Sequence, residues 1–242
     1  MAQSRKLVYG TVVDGEELKL TAIMTPPHNL TLYATDNKID KAALDLLVNS
    51  IPEIDGVMAD KKLAECFAEI YSTAHGMEYL IDRNQRIYEL TEVSDKIENI
   101  GKLRPIREQD LSFLPYWIEN FYSDCFGGSP EISADFNRYS GEVKRRVYVL
   151  EDNNNTAVCI AKITREMQNV CGIGLVYTPP YFRGKGYATS CVAQISKIAL
   201  ERGFSKCVLY TDLANPTSNS IYQKIGYNPI CDSLVIKFKK LI

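Results

Sequence analysis

The segment Val176-Tyr-Thr-Pro-Pro-Tyr-Phe-Arg-Gly-Lys-Gly-Tyr-Ala188 constrains this chain of 242 residues more than any other. An apolar strand ends at two prolines, and a loop with two glycines opens directly into a helix. Cys191, Val192, Ile195 and Ala199 lie on one stripe of a 3.6-residue repeat, and Gly203 stops the helix as a left-handed cap would. The helix therefore starts between Gly184 and Tyr187, where backbone N–H groups have no intrahelical partner and the dipole adds partial positive charge. That is an anion site in outline. Gly184 and Gly186 let the main chain approach a ligand without a Cβ in the way, and Arg183 and Lys185 bring cations to it.

Two familiar phosphate loops do not match. The Walker pattern requires Ser or Thr after Gly-Lys, and Gly186 stands there instead. The dinucleotide fingerprint breaks at Thr189, and Gly172-Ile-Gly174 lacks a third glycine. The pattern Arg-x-x-Gly-x-Ala is met by Arg183-Gly-Lys-Gly186-Tyr-Ala188, and it resembles the pyrophosphate-binding loop of the GNAT superfamily of acetyl-CoA-dependent N-acetyltransferases. The resemblance continues downstream. Cys207 to Asp212 is a short apolar strand, Asn215-Pro216 reads as an N-cap with proline at the first helical position, and Ile221 and Ile225 share a face that ends at Gly226. The order Asn215, Ser218, Tyr222, Gly226-Tyr227 is similar to the distal half of the GNAT coenzyme site, so the likeness covers roughly residues 102–242.

The resemblance implies acetyl transfer from acetyl-CoA, as cosubstrate and without a metal, to a primary amine of a small molecule or peptide by direct attack in a ternary complex. It implies that the N–H groups of Gly184, Gly186, Tyr187 and Ala188 hold the pyrophosphate, with Arg183 and Lys185 facing it. The pantetheine arm would lie along the strand ending Leu175-Val176-Tyr177, with Asn215 and Ser218 on the far side and Tyr222 as the general acid for the leaving thiolate. Each residue also has a plainer reading. Tyr222 can be a core tyrosine beside Ile221 and Ile225, Asn215 no more than a cap, and Arg183 and Lys185 solvated loop cations. Many GNAT enzymes carry a glutamate on the strand before the loop, but 169–177 holds no carboxylate. Glu151, Glu166 and Asp212 are the substitutes, each readable as a surface or turn residue, and no base is assigned. A non-catalytic acyl-CoA-binding regulatory module is the alternative to an enzyme.

Around this site the sequence reads as α+β, a mixed α/β arrangement with a central, mostly antiparallel twisted sheet flanked by helices and a second, smaller N-terminal domain. In the C-terminal half, 102–106 is extended, Gln109 to Ser123 has helical spacing, and 146–150 and 157–163 form a hairpin about the polar run 151–155. The strand 169–177 follows, and Leu234, Ile236 and Phe238 alternate in a final strand expected at a sheet edge. In the N-terminal half, strands at 7–13, 18–24 and 29–34 precede helices at 41–50 and 60–75 and a short strand at 86–90. This order echoes the C-terminal one, yet Gly56-Val-Met-Ala-Asp60 stands at the corresponding loop with no cation. Residues 1–100 are therefore expected to be a degenerate GNAT-like half or an unrelated α+β cap, and 101–242 the catalytic domain, with the boundary in the polar stretch Glu92 to Gly101.

A formal net charge of −2 leaves no electrostatic footprint for nucleic acid, and no apolar run reaches a membrane span or a signal-peptide core. Seven cysteines without a Cys-x-x-Cys pair fit free thiols in a reducing cytoplasm, with Cys159, Cys171 and Cys207 packed in strands. A cytoplasmic monomer or homodimer is expected. The acceptor would be read by Gln109 to Tyr139 and by the N-terminal half, where no motif names it.

Overall fold

The computed structural model describes residues 7–127 and 146–240, and these fall into two compact units. The first contains the described residues of Met1–Ile87 and Ile230–Ile242 together with Thr211–Ala214; the second contains Tyr88–Tyr210 and Asn215–Pro229.

In the first unit β1 (Val8–Asp14) and β2 (Glu17–Met24) form an antiparallel hairpin whose turn uses Gly15 at φ 59°. The Asp-Gly pair supplies the positive φ that such a turn demands. β3 (Leu30–Ala34) pairs antiparallel with β2 and parallel with β4 (Gly56–Asp60). Between them lies α1 (Lys41–Ser50), capped by Asp40, whose carboxylate accepts the Ala43 N–H at 3.1 Å. α2 (Lys61–His75) is capped by Asp60 and ends at Gly76 in the left-handed region, where β5 (Met77–Leu90) takes over. The last strand, β11 (Asn228–Lys240), pairs antiparallel with β4, giving the order β1-β2-β3-β4-β11-β5. The core sets Leu44 and Val48 of α1 and Leu63, Phe67 and Tyr71 of α2 against Leu20, Leu32 and Ile236 of the sheet. Tyr71 lies 4.5 Å from the Phe238 ring, and its hydroxyl accepts the Ile54 N–H at 2.9 Å.

Two expectations change here. Gly56–Asp60 is a strand rather than a loop, and a Cβ at Gly56 would meet the Ile236 carbonyl oxygen at 2.5 Å, so the glycine serves strand-to-strand approach. The final strand is not an edge, because it lies between β4 and β5. Alternation reports which face of a sheet a side chain takes, and it carries no information on whether a strand has one neighbour or two.

The second unit contains β6 (Lys102–Pro105), α3 (Leu114–Phe126), β7 (Val147–Glu151), β8 (Ala157–Thr164), β9 (Val170–Tyr177), α4 (Tyr187–Glu201), β10 (Lys206–Asp212) and α5 (Pro216–Ile225). β6 to β9 are antiparallel in sequence order, and β10 joins β9 in parallel. The mixed α+β class read from the sequence is the one observed. The stripe Cys191, Val192, Ile195 and Ala199 of α4 is fully buried, in one core with Cys159, Cys171 and Cys207 of the strands. Helical spacing placed a helix from Gln109. A short 3-10 turn occupies Glu108–Ser112 instead, and α3 starts only at Leu114 because Pro115 is tolerated in a first turn and not inside a helix. A buried ion cluster joins β6, the 3-10 turn and β7: Arg104 contacts both Asp110 and Glu151 at 2.6 Å.

Candidate functional site

The site grows from a fork in the second unit. Along β8 and β9, Lys162 faces Gly174 and Ile160 faces Tyr177, so Leu175 and Val176 stand opposite Ala161 alone. This is a bulge, and Leu175 takes φ 52°, a conformation that leucine adopts only where its surroundings enforce it. On the other side β9 pairs with β10 only from Val170–Lys206 to Gly172–Val208. Beyond Gly172 the two parallel strands part, and among the described residues no strand fills the edge of β9 that carries Leu175, Val176 and Tyr177. Backbone N–H and C=O groups along an unpaired strand edge are ready to pair with a ligand that supplies amides.

Where β9 ends, the chain turns through Pro180–Phe182 into the glycine loop. Gly184 and Gly186 hold φ of 76° and 82°. Gly186 is the N-cap of α4 and offers no side chain to cap it, so the first intrahelical bond is Ser190 N–H to Gly186 C=O at 3.1 Å. The N–H groups of Gly186, Tyr187, Ala188 and Thr189 have no acceptor among the described residues. They converge at the positive end of a 15-residue helix.

The cations beside the loop are engaged. Arg183 donates from Nη2 to Asp124 on α3 at 2.7 Å and from Nε to the Thr178 carbonyl at 2.9 Å, and its guanidinium lies 5.7 Å from the Tyr177 ring centroid. Lys185 is exposed, its Nζ 5.9 Å from the Phe182 ring centroid.

On α5, Asn215 acts as the cap read from the sequence: its Oδ1 accepts the Ser218 N–H at 3.0 Å, and its carbonyl accepts from Asn219. Ser218 is half-buried. Tyr222 is 8% exposed, its ring 6.3 Å from that of Tyr88 and 6.0 Å from that of Tyr227. Its hydroxyl has no hydrogen-bond partner among the described residues. Burial, with smaller contributions from Cys125, Cys159 and Cys191, pushes its phenol well above the ordinary tyrosine range, so it remains a proton carrier at neutral pH.

Residues 113–227 match the sequence model of the Acetyltransferase (GNAT) family. That stretch is similar to a GNAT acetyltransferase domain. Similar solved structures include a GCN5-related N-acetyltransferase from Sphaerobacter thermophilus, with a TM-score of 0.65 and 13% identity over 94% of this chain and 79% of that one. Another from Kribbella flavida has a TM-score of 0.62 and 13% identity over 97% and 89%, and a GNAT-family acetyltransferase from Colwellia psychrerythraea has 0.59 and 12% over 96% and 84%. These likenesses show a shared fold. Comparison with curated proteins gives no match.

Within this stretch, Glu151 and Glu166 serve structure. Glu151 binds Arg104, and Glu166 pairs with Arg202 at 3.0 Å and Arg146 at 3.4 Å. Asp212 accepts the Ala214 N–H at 2.8 Å. Of the stretch expected to read the acceptor, 128–139 lie outside the described residues.

Two contributors escaped the sequence reading. Asp124 holds Arg183. The polar stretch ending at Gly101 also straps the first turns of α4: the Ser190 hydroxyl accepts the Ile100 N–H and donates to the Ile100 carbonyl, each at 2.9 Å, and Gln194 accepts the Leu103 N–H at 2.9 Å. A Cβ at Gly186 would meet Ile100 Cδ1 at 3.1 Å. The available signal was the pair Ser190 and Gln194, polar and four apart and so on one face of the helix.

Proposed function

We propose that this chain is an N-acetyltransferase that transfers the acetyl group of acetyl-CoA to a primary amine of a small molecule or peptide, by direct attack in a ternary complex. The observation that carries the reading is the fork between β9 and β10, whose open edge leads to the unpartnered N–H groups at the start of α4. The fit is tested by chemistry. A polyanion meets Gly184, Lys185, Gly186, Tyr187 and Ala188, with no Cβ at either glycine, and a chain bearing amides meets the main-chain groups of Leu175, Val176 and Tyr177. Arg183 supplies positive charge beside the loop from its seat on Asp124, and Asn215 and Ser218 border the far side at the start of α5.

Acetyl-CoA supplies an activated thioester. The protein's part is to position it and to manage a proton. Tyr222, buried, protonated and without a hydrogen-bond partner among the described residues, donates to the departing sulfur. β9 carries no carboxylate, and no base is assigned to the acceptor amine.

Residues 101–242 form the catalytic domain in this reading, and 1–100 a degenerate half that lacks the loop. The support is a shared connectivity. β1-β2-β3 then β4 are joined antiparallel, antiparallel and parallel, as are β7-β8-β9 then β10, with one helix before the parallel strand in each case.

Titration calorimetry with acetyl-CoA tests the donor site. Wild type binds, and Gly186→Asp, which sets a carboxylate at the N–H cluster and a Cβ against Ile100, shows no heat. Equal binding by both proteins would remove the loop from the account.

A further inference from the structure

Sheet edges differ in how they are guarded. Natural edge strands are kept from pairing by shortness, charge, proline or a bulge. In the second unit the outer strand β6 has four residues, two of them cationic and the last a proline. In the first unit the outer strand β1 has seven residues, Val-Tyr-Gly-Thr-Val-Val-Asp, and its one charge is at the end. The hairpin does contain an irregularity, but it falls on the inner strand. Val12 faces Leu20 and Val13 faces Leu18, which leaves Lys19 of β2 unmatched and β1 regular throughout.

The side chains repeat this. Val8 and Val12 turn toward the core. On the opposite face Leu7, Tyr9 and Val13 are 67%, 75% and 58% exposed, and the apolar strip continues with Ile23, opposite Tyr9 on β2, and Tyr33 on β3, both exposed.

We infer that β1 is a dimer interface, pairing antiparallel with β1 of a second copy about a two-fold axis at Gly10. The strand is self-complementary in that register. Tyr9 faces Thr11 of the partner subunit, Val8 faces Val12 of the partner subunit, and Leu7 faces Val13 of the partner subunit. A parallel arrangement would instead set Asp14 beside its own copy. Gly10 leaves the axis open, since a Cβ there would meet nothing within 4 Å. A patch that complements itself gives a closed two-fold dimer and no further growth.

Sedimentation velocity over increasing concentration tests this, with circular dichroism as the check on folding. Wild type shifts from 27.3 kDa to twice that mass. Tyr9→Lys, a substitution at an exposed position that brings cations together across the axis, stays at the monomer mass with an unchanged spectrum. Register is tested by Gly10→Cys in a Cys125→Ser background, which removes an exposed thiol. Oxidised glutathione takes up the two electrons and two protons of the facing thiols, and a covalent dimer forms in high yield. Wild type that remains monomeric, a dimer that survives Tyr9→Lys, or a dimer without the Gly10→Cys cross-link would each overturn the assignment.

Discussion

Replacing Tyr222 with phenylalanine removes one oxygen and leaves the ring among Tyr88, Tyr227 and Ile225. Because that hydroxyl has no hydrogen-bond partner among the described residues, its loss strands no buried group, and folding stability should change by less than about 0.5 kcal/mol. Turnover should behave differently. Loss of a positioned general acid lowers rate by roughly 10²-fold or more, which at about 1.4 kcal/mol per decade is about 2.7 kcal/mol of barrier. Tyr227→Phe is the converse control. The Tyr227 hydroxyl is 2.8 Å from the Ser196 hydroxyl inside the core, so its loss leaves a buried group unpaired and costs about 1–3 kcal/mol. In a chain of this size that lowers Tm by about 2–4 °C per kcal/mol, with turnover of the folded protein retained. Thermal unfolding and initial rates of thiol release on the same preparations make the comparison. A Tyr222→Phe variant that loses several degrees in Tm and keeps its rate would show the hydroxyl to be structural and not catalytic.

Two further outcomes follow from the ionisable groups. Burial acts to raise the Asp110 carboxyl, but the hydrogen bonds from Arg104 and from the Arg107 N–H outweigh it and hold the group below its usual range. A folded pKa below the unfolded value of about 3.9 contributes stability that is complete above that value and lost as pH falls through the folded one. Asp110→Asn should therefore destabilise the protein by about 3–5 kcal/mol at neutral pH, leaving Arg104 short of a partner, and should flatten the loss of stability below about pH 4 seen by chemical denaturation. A variant with the wild-type acid profile would contradict this. For Tyr222 the raised phenol keeps its proton, so turnover should hold up to about pH 10. A decline near pH 9 that disappears in Tyr222→Phe would contradict the assignment.

The sequence was most informative where punctuation is chemical. Asn215-Pro216 and Gly226 bound α5, Gly186 and Gly203 flank α4, and Asp14-Gly15 turns the first hairpin, because each of these residues meets a backbone demand that few others satisfy. The stripe of α4 was legible for the same reason, since a 3.6-residue period has one physical cause. β4 escaped because five residues next to a helix carry no readable period. The interior position of β11 escaped because strand neighbours are chosen by tertiary packing. At the site, the loop could be read, but the bulge could not. Leucine is a poor residue for a left-handed conformation, so Leu175 gives no local sign of the φ it takes at the bulge against β8. The straps from Asp124 and Ser190 join positions far apart in sequence, and nothing at either end announces the other.

In the proposed function the forked strands and glycine loop serve acetyl transfer to an amine. The most direct test is thiol release from acetyl-CoA across a panel of primary amines and amino-terminal peptides, with wild type, Gly186→Asp and Tyr222→Phe side by side. Wild type should release thiol only with an amine present, Gly186→Asp should release none because the donor no longer binds, and Tyr222→Phe should bind as before and release slowly. Tight acetyl-CoA binding by wild type with no release on any amine, unchanged by Tyr222→Phe, would contradict the proposed function.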